Sequence, residues 1–221
     1  MSNAIPMTEL ILVRHGITPW NRERRFQGQI DIPLSDEGVQ QAQRTGRRLA
    51  SLPLAAVYSS DLARARQTAE PIAASRSLAL QFEPGLRERH YGGFEGLTRD
   101  ELLRDHADAF RRWREREPDF QLPGAGGETL RQFYQRVEAT LRALAARHAG
   151  ETIVAVTHGG VLDCAYRVAT GLGLSAQRDF DLFNASVNRI GWDGGAFRLL
   201  GWGEVGHLNE AVDDVEARLA R

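Results

Sequence analysis

Two histidines in this sequence each follow a short apolar run and precede a glycine. His15 comes after Leu-Ile-Leu-Val-Arg, and His158 comes after Ile-Val-Ala-Val-Thr. Short uninterrupted apolar runs are typical of strands that are buried on both faces of a parallel sheet. Because the carboxyl ends of parallel strands form the edge of the sheet where ligands bind, we expect the two imidazoles to lie close together.

Arginines accompany these histidines and indicate which chemistry they suit. Arg14 directly precedes His15, and Arg64 lies where the second predicted strand leads into a helix, at the same edge of the sheet. A metal site is the alternative, but the sequence has no His-x-His or His-Glu-x-x-His spacing, and neighbouring guanidiniums would repel a cation. Guanidiniums match the geometry of phosphate, and a neutral imidazole nitrogen is a nucleophile toward phosphorus. We therefore predict a phosphate site without a metal.

Strands and helices alternate along most of the chain, which indicates an α/β fold. The predicted class is a three-layer α/β/α sandwich with a mostly parallel central sheet and a small helical cap insertion at about 93–127, in one domain that spans 1–221. The segment Ile17–Pro33 is rich in Arg, Asn, Gln and Gly, which predicts a long polar loop. The other predicted elements are strands at Leu10–Val13, Ala55–Ser59, Leu78–Phe82 and Thr152–Val156, helices from Ser35 to Ala50, from Leu62 to Ser75, from Glu128 to His148 and from Val161 to Thr170, a hairpin of Ala185–Ile190 and Ala196–Leu200, and a surface helix from Glu210.

The composition excludes several classes of function. The net charge is -1 and all 28 basic residues are arginine, so neither Schiff-base chemistry nor a phosphate-binding loop with a lysine is open to this chain. The near-neutral balance gives no electrostatic case for nucleic acid as a partner. No apolar run approaches the roughly 20 residues that cross a bilayer, and none follows a basic N-terminus as in a signal peptide. We therefore expect a cytoplasmic protein without a membrane partner.

Cys164 is the only cysteine, which excludes an intrachain disulfide and a cysteine-rich metal site. A phosphatase that uses a thiolate should carry an arginine six residues further on, where this chain has Thr170. The thiol is therefore expected to be a structural residue of the core.

The histidines and arginines belong to a series of motifs that resembles the histidine phosphatase superfamily, in its phosphoglycerate mutase-like branch. The resemblance covers most of residues 8–200, and the motifs occur in the order of the family. They are Leu12-Val13-Arg14-His15-Gly16 with Thr18 and Asn21, Phe26-Gln27-Gly28, Pro33-Leu34-Ser35-Asp36-Glu37-Gly38, Ser59-Ser60-Asp61-Leu62-Ala63-Arg64-Ala65, Leu86-Arg87-Glu88, Gly127-Glu128-Thr129 and Val156-Thr157-His158-Gly159-Gly160.

This resemblance implies a mechanism that passes through a phosphohistidine. It implies that His15 is the nucleophile and that Arg14, Arg64 and His158 bind the equatorial phosphoryl oxygens. Glu88 would protonate the leaving oxygen and then activate water, a role that requires a partly buried carboxyl group.

Four further residues are implied to contact the substrate. Asn21 and the backbone amide of Gly159 would add hydrogen bonds to the phosphoryl group. Gln27 and Gly28 would line the substrate side of the pocket.

The sequence leaves three functions open. The segment Glu88–Gly92 resembles the mutases of the family, in which the residues matching Arg89 and Tyr91 contact phosphoglycerate, and a mutase would use 2,3-bisphosphoglycerate as its cofactor. The stretch from Glu88 to His158 is shorter than in the mutases, which need a lid to keep water from the phosphohistidine. We therefore favour a phosphatase without a cofactor. A phosphate binder that does not catalyse is the third alternative.

The expected partner is a small phosphorylated metabolite. Arg111, Arg112 and Arg114 in the cap indicate that this metabolite is acidic. The oligomeric state stays open, with a homodimer among the alternatives.

Overall fold

A six-stranded sheet forms the centre of the computed structural model, which describes residues 6–208. The strands are β1 (Thr8–Arg14), β2 (Leu54–Ser59), β3 (Leu80–Phe82), β4 (Thr152–Thr157), β5 (Val187–Trp192) and β6 (Phe197–Glu204). In order across the sheet, β3, β2, β4 and β1 run parallel to one another, β5 pairs antiparallel with β1, and β6 pairs antiparallel with β5. This arrangement confirms the mostly parallel sheet and the closing hairpin that the sequence predicts.

Helices cover both faces of the sheet, which confirms the three-layer α/β architecture. The α-helices within residues 6–208 are α1 (Pro19–Glu23), α2 (Asp36–Leu49), α3 (Ala63–Ser75), α4 (Arg99–Asp105), α5 (Ala107–Arg114), α6 (Leu130–Arg147) and α7 (Gly159–Thr170). α2 and α3 pack on one face of the sheet, and α6 and α7 pack on the other.

The alternation of side chains along β1 explains why this strand is apolar throughout. Leu10 and Leu12 join the core beneath α6 and α7, whereas Ile11 and Val13 join the core beneath α2 and α3. Successive side chains of a strand point to opposite faces, so a strand covered on both sides needs an apolar residue at every position. β1 thus contributes side chains to both cores of the sheet. Its polar end, which begins at Arg14, lies at the edge of the sheet.

The loop prediction for Ile17–Pro33 is wrong at one point, because α1 forms inside that segment. The Thr18 hydroxyl accepts a hydrogen bond from the Asn21 amide, and the Asn21 side chain accepts one from the Thr18 amide. Pro19 occupies the first helical position, where its missing N–H costs nothing. Capping thus produces a helix of five residues that its polar composition does not indicate.

The cap has a small core of its own. α4 and α5 pack around an aromatic cluster in which Phe26, from the segment after β1, lies edge to face with Tyr91, Phe94 and Phe110. The segment that follows His15 is therefore anchored in the cap. The surface helix predicted from Glu210 lies outside the described residues, and within residues 6–208 no helix combines the length and apolar character needed to cross a membrane.

The start of α2 packs so closely on the segment after His15 that Gly16 and Gly38 have no room for a Cβ. A Cβ on Gly38 would lie 2.1 Å from the carbonyl oxygen of Ile17, and one on Gly16 would lie 2.6 Å from the carbonyl oxygen of Gly38. These are backbone atoms, which cannot move aside without displacing the whole segment.

We predict that Gly38→Ala lowers the free energy of unfolding by about 1–3 kcal/mol, because the added methyl group overpacks this contact. Urea denaturation monitored by circular dichroism gives the value. Gly206→Ala is the matched control, since a Cβ at Gly206 would meet no atom of residues 6–208 within 4 Å. Equal denaturation midpoints for the two variants would contradict the prediction.

Candidate active site

His15 is held at the end of β1 by its backbone and by its ring. Its amide donates to the carbonyl of Thr157 on β4 at 2.9 Å, and its Nδ1 lies 2.7 Å from the carbonyl oxygen of Gly16. Because a carbonyl oxygen can only accept, Nδ1 donates and therefore carries the proton of the neutral ring. The lone pair is then on Nε2, the nitrogen available for attack on phosphorus.

His158 lies beside His15, as the two strand ends predict. The ring centroids are 5.2 Å apart, and both side chains are buried. His158 Nε2 lies 2.8 Å from the hydroxyl oxygen of Ser60, which follows β2. Within the described part of the chain, His158 Nδ1 is buried without a hydrogen-bond partner. When Ser60 donates a hydrogen bond to Nε2, Nδ1 carries the proton of the neutral ring. Nδ1 can then donate a hydrogen bond to a phosphoryl oxygen.

The surroundings of both histidines keep them neutral. Burial, followed by the charges of Arg64 and Arg14, holds the pKa of His15 well below its ordinary value of 6.5, although the hydrogen bond to Gly16 acts in the opposite direction. Burial and the charge of Arg64 also hold the pKa of His158 well below 6.5, with smaller contributions from His15 and Arg14. A neutral His15 is the form that can attack phosphorus.

Arg14 and Arg64 are both buried, and each is oriented by backbone carbonyls. Arg64 donates from Nη2 to Gly28 at 2.6 Å and from Nη1 to Ile30 at 3.0 Å, while Arg14 donates to Leu182. The charges of both arginines act on the imidazoles and lower the pKa values of both histidines. Two buried guanidiniums at one place favour an anion with a high charge density, such as phosphate.

Glu88 joins the site at the beginning of α7. Its Oε2 accepts from the Gly160 amide at 3.0 Å, and its Oε1 accepts from the Arg89 amide at 2.8 Å. Glu88 is 5% exposed, which satisfies the burial expected for an acid-base group. A Cβ on Gly160 would lie 2.3 Å from Glu88 Oε1, so glycine at this position makes room for the carboxylate.

The N-terminus of α7 faces the same region. His158 is the residue that precedes the helix, and Gly159 and Gly160 are its first two members. The first amides of a helix have no partners within the helix and carry its positive partial charge. The Gly159 amide is therefore a suitable donor to an anion bound beside His158.

Asn21 and Gln27 belong to a polar network behind His15. The Thr18 hydroxyl lies 3.0 Å from Asn21 Oδ1 and 3.0 Å from Gln27 Oε1. Asn184 Nδ2 donates to the carbonyl of His15 at 3.0 Å and lies 3.5 Å from Asn21 Oδ1. Both predicted residues are thus buried, and Asn184 connects Asn21 with the backbone of His15.

The structure divides the predicted residues into two groups. The first group lies around the carboxyl edge of the sheet and consists of His15, His158, Arg14, Arg64, Asn21, Gln27, Gly28, Glu88 and Gly159. Tyr91 lies in the core of the cap, with its ring edge to face against Phe26 and the guanidinium carbon of Arg89 5.7 Å from its centroid. Burial lowers the pKa of Arg89, which stands with Tyr91 in the segment that resembles the mutases. Within residues 6–208, no cluster of three His, Cys, Asp or Glu side chains is placed to hold a metal ion.

Sequence reasoning does not assign a role to Ser60 or Asn184. Ser60 carries a signal in retrospect, because it follows directly on a parallel strand whose end reaches the same edge. Asn184 lies in an irregular segment that is 169 residues from His15, and nothing in its surroundings marks it.

Comparison with known proteins places these features in a family context. Residues 10–205 match the description of the histidine phosphatase superfamily (branch 1). The chain is 40% identical over 213 residues to phosphoglycerate mutase-like protein 4 of Arabidopsis thaliana, which covers 95% of this chain and 90% of that protein.

Solved structures with the same architecture include YhfR of Bacillus stearothermophilus. It is 37% identical and superimposes with a TM-score of 0.83, covering 90% of this chain and 98% of that one. A phosphoserine phosphatase of Entamoeba histolytica, in complex with 3-phosphoglyceric acid, is 28% identical and superimposes with a TM-score of 0.81. That comparison covers 91% of this chain and 99% of the other.

The depressed histidine pKa values predict how stability depends on pH. Below pH 6.5 the unfolded chain binds protons at His15 and His158 that the native protein does not bind, so the free energy of unfolding falls as the pH falls. Each histidine contributes up to about 1.4 kcal/mol per pH unit in this window. His158→Asn should therefore lose stability less steeply than the wild type between pH 6.5 and 5.5, as measured by urea denaturation at several pH values. An identical dependence of the free energy of unfolding on pH in the two proteins would show that His158 titrates alike in the folded and unfolded states, and would contradict the prediction.

Proposed function

Because the chain belongs to the histidine phosphatase superfamily, we propose that it is a phosphomonoester hydrolase that acts through a phosphohistidine on a small phosphorylated metabolite. The observation that carries this proposal is the hydrogen bond from His15 Nδ1 to the Gly16 carbonyl, which leaves the Nε2 lone pair in a buried site. The neutral His158 lies beside His15, and the charges of Arg64 and Arg14 act on His15, so the site offers a nucleophile and an oxyanion clamp together.

In the first step, His15 Nε2 attacks phosphorus and the bond between phosphorus and the ester oxygen breaks. Glu88, in its carboxylic acid form, gives its proton to the departing oxygen. Arg14, Arg64 and His158 Nδ1 bind the three equatorial oxygens as their charge develops. These groups are already buried and oriented, so little reorganisation accompanies the reaction.

In the second step, water attacks the phosphohistidine and the bond between phosphorus and Nε2 breaks. The Glu88 carboxylate accepts the proton that the water loses, which returns Glu88 to its acid form. Inorganic phosphate leaves, and His15 regains its lone pair on Nε2. The cycle uses no metal, and its only reactants are the phosphomonoester and water.

The buried Arg89 beside Tyr91 supports a substrate that carries a second acidic group. Its Nε and Nη2 donate to the Glu128 carbonyl at 3.0 and 2.8 Å, which holds a buried guanidinium beside the Tyr91 ring. The cap arginines singled out in the sequence contribute less, because Arg111 pairs with Asp108 and Glu115 on the surface. Arg112 pairs likewise with Glu117.

A phosphoglycerate mutase that depends on 2,3-bisphosphoglycerate is the second candidate. It is favoured by the 40% identity to a phosphoglycerate mutase-like protein of Arabidopsis thaliana and by the pair Arg89 and Tyr91. The phosphoserine phosphatase of Entamoeba histolytica with the same fold favours the hydrolase. Both candidates share the phosphohistidine and differ in the acceptor of the phosphoryl group.

Replacement of His15 tests the shared mechanism. We predict that His15→Ala lowers the hydrolysis of p-nitrophenyl phosphate by at least about a thousandfold, because the residue that forms the covalent intermediate is lost. The assay contains a metal chelator, and labelled phosphate is trapped on the wild type by rapid quenching under alkaline conditions, where a phosphohistidine survives. His106→Ala, at the junction of α4 and α5, is the control with normal turnover. Undiminished turnover by His15→Ala would exclude the mechanism.

Incubation with 3-phosphoglycerate distinguishes the two candidates. We predict release of inorganic phosphate, and no stimulation of 2-phosphoglycerate formation when 2,3-bisphosphoglycerate is added, because water has access to the intermediate. Products are followed by phosphorus nuclear magnetic resonance. Fast formation of 2-phosphoglycerate that requires the bisphosphate would establish the mutase instead, and phosphate affinity without a phosphoenzyme would indicate a binder.

A further inference from the structure

Arg136, on α6, binds the backbone of the segment that carries Glu88. Its Nη1 donates to the carbonyls of Gly85 and Arg87 at 2.9 and 3.0 Å. Its Nη2 lies 3.2 Å from the carbonyl oxygen of Glu88 itself. One guanidinium therefore fixes three carbonyls in four consecutive residues, including that of the proposed acid.

Glu128 locks this guanidinium in place. Its Oε1 accepts from Arg136 Nε at 2.8 Å and its Oε2 accepts from Arg136 Nη2 at 2.7 Å, which is the two-pronged geometry that arginine forms best with a carboxylate. Glu128 Oε2 also accepts from the His90 amide at 2.9 Å. The Glu128 amide donates to the His90 carbonyl at 2.9 Å, and its carbonyl accepts from Arg89.

These contacts hold Glu88 from both sides along the chain. Arg136 binds the residues before it and its own carbonyl, and Glu128 binds the two residues after it. The segment is not part of the sheet, because β3 ends at Phe82. Side chains therefore supply the rigidity that a strand ladder supplies to His15 and His158.

We propose that Arg136, locked by Glu128, is a positioning residue that places the Glu88 carboxyl for proton donation to the leaving oxygen. This inference rests on the proposed function, in which Glu88 is the general acid. Arg136 acts through the backbone of Glu88 and does not itself bind the phosphoryl group.

The dependence of rate on the leaving group tests this inference. Phenyl phosphate and p-nitrophenyl phosphate share a ring, but phenolate is much more basic than p-nitrophenolate and needs the proton from Glu88 far more. Arg136→Lys keeps the positive charge, which also acts weakly on His158. It loses the planar guanidinium that binds Glu128 and the three carbonyls. We expect it to lower kcat/KM for phenyl phosphate roughly tenfold more than for p-nitrophenyl phosphate, a part of the full effect of a general acid.

A second background separates positioning from general damage. Glu88→Gln alone should show a larger selective loss of the same kind, and adding Arg136→Lys to it should cause no further selectivity, because the group being positioned is gone. Arg131→Lys is the matched control on α6, since Arg131 pairs with the exposed Asp119, and it should leave both rates unchanged. Glu128→Gln provides a second variant that weakens the lock while keeping an acceptor oxygen, in case Arg136→Lys does not fold.

Each result has a definite consequence. Equal losses on the two substrates from Arg136→Lys alone, or an undiminished selective loss from Arg136→Lys in the Glu88→Gln background, would reduce Arg136 to a structural residue and overturn the inference. If Glu88→Gln shows no selectivity, or if no phosphohistidine is trapped on the wild type, the proposed function itself fails. If Glu88→Gln is selective and the phosphohistidine is trapped on the wild type, but Arg136→Lys and Glu128→Gln are both unselective, only the positioning role fails.

Discussion

The register between β1 and β4 is the constraint on which the site depends. The two strands pair in parallel with Arg14 opposite Thr157, so the next residue of each strand, His15 and His158, emerges at the same height. A shift of one residue would turn every side chain of a strand to the other face. Such a shift would exchange the two cores of the sheet as well as separate the imidazoles. The packing that selects the fold thus also selects the geometry of the two histidines.

Burial of charged and titratable groups makes this site costly to the fold. Two guanidiniums and two imidazoles in a buried site would be strongly unfavourable if the imidazoles were charged, and the depressed histidine pKa values express this. A dianion would compensate the positive charge that folding has concentrated here. The same charges that are costly to the fold therefore support the proposed binding of a phosphoryl group.

The part of the site that follows from strand ends could be predicted from the sequence, and the part that follows from side-chain to backbone contacts could not. His15, His158 and Arg64 are placed by local pattern, because an apolar run predicts a strand and a strand predicts where its end lies. Arg136 lies 48 residues from Glu88, and an arginine in an amphipathic helix is indistinguishable in sequence from one that faces solvent. The short helix α1 was missed for a related reason, since capping outweighs a composition that is typical of loops.

The site therefore consists of two halves that are built by different physical means. The half that contains His15 and His158, called the phosphate half for its proposed role, is fixed by strand pairing and two hydrophobic cores. The half that contains Glu88, called the acid half for its proposed role, is fixed by a few polar contacts from α6 and by the hydrogen bond of Thr157 to the Leu86 carbonyl. Strand pairing leaves little room for variation, whereas polar contacts and a small cap core can change without disturbing the sheet. Differences in what accepts the phosphoryl group, water or a second hydroxyl, are accordingly expected to arise in the acid half and in the cap that covers it.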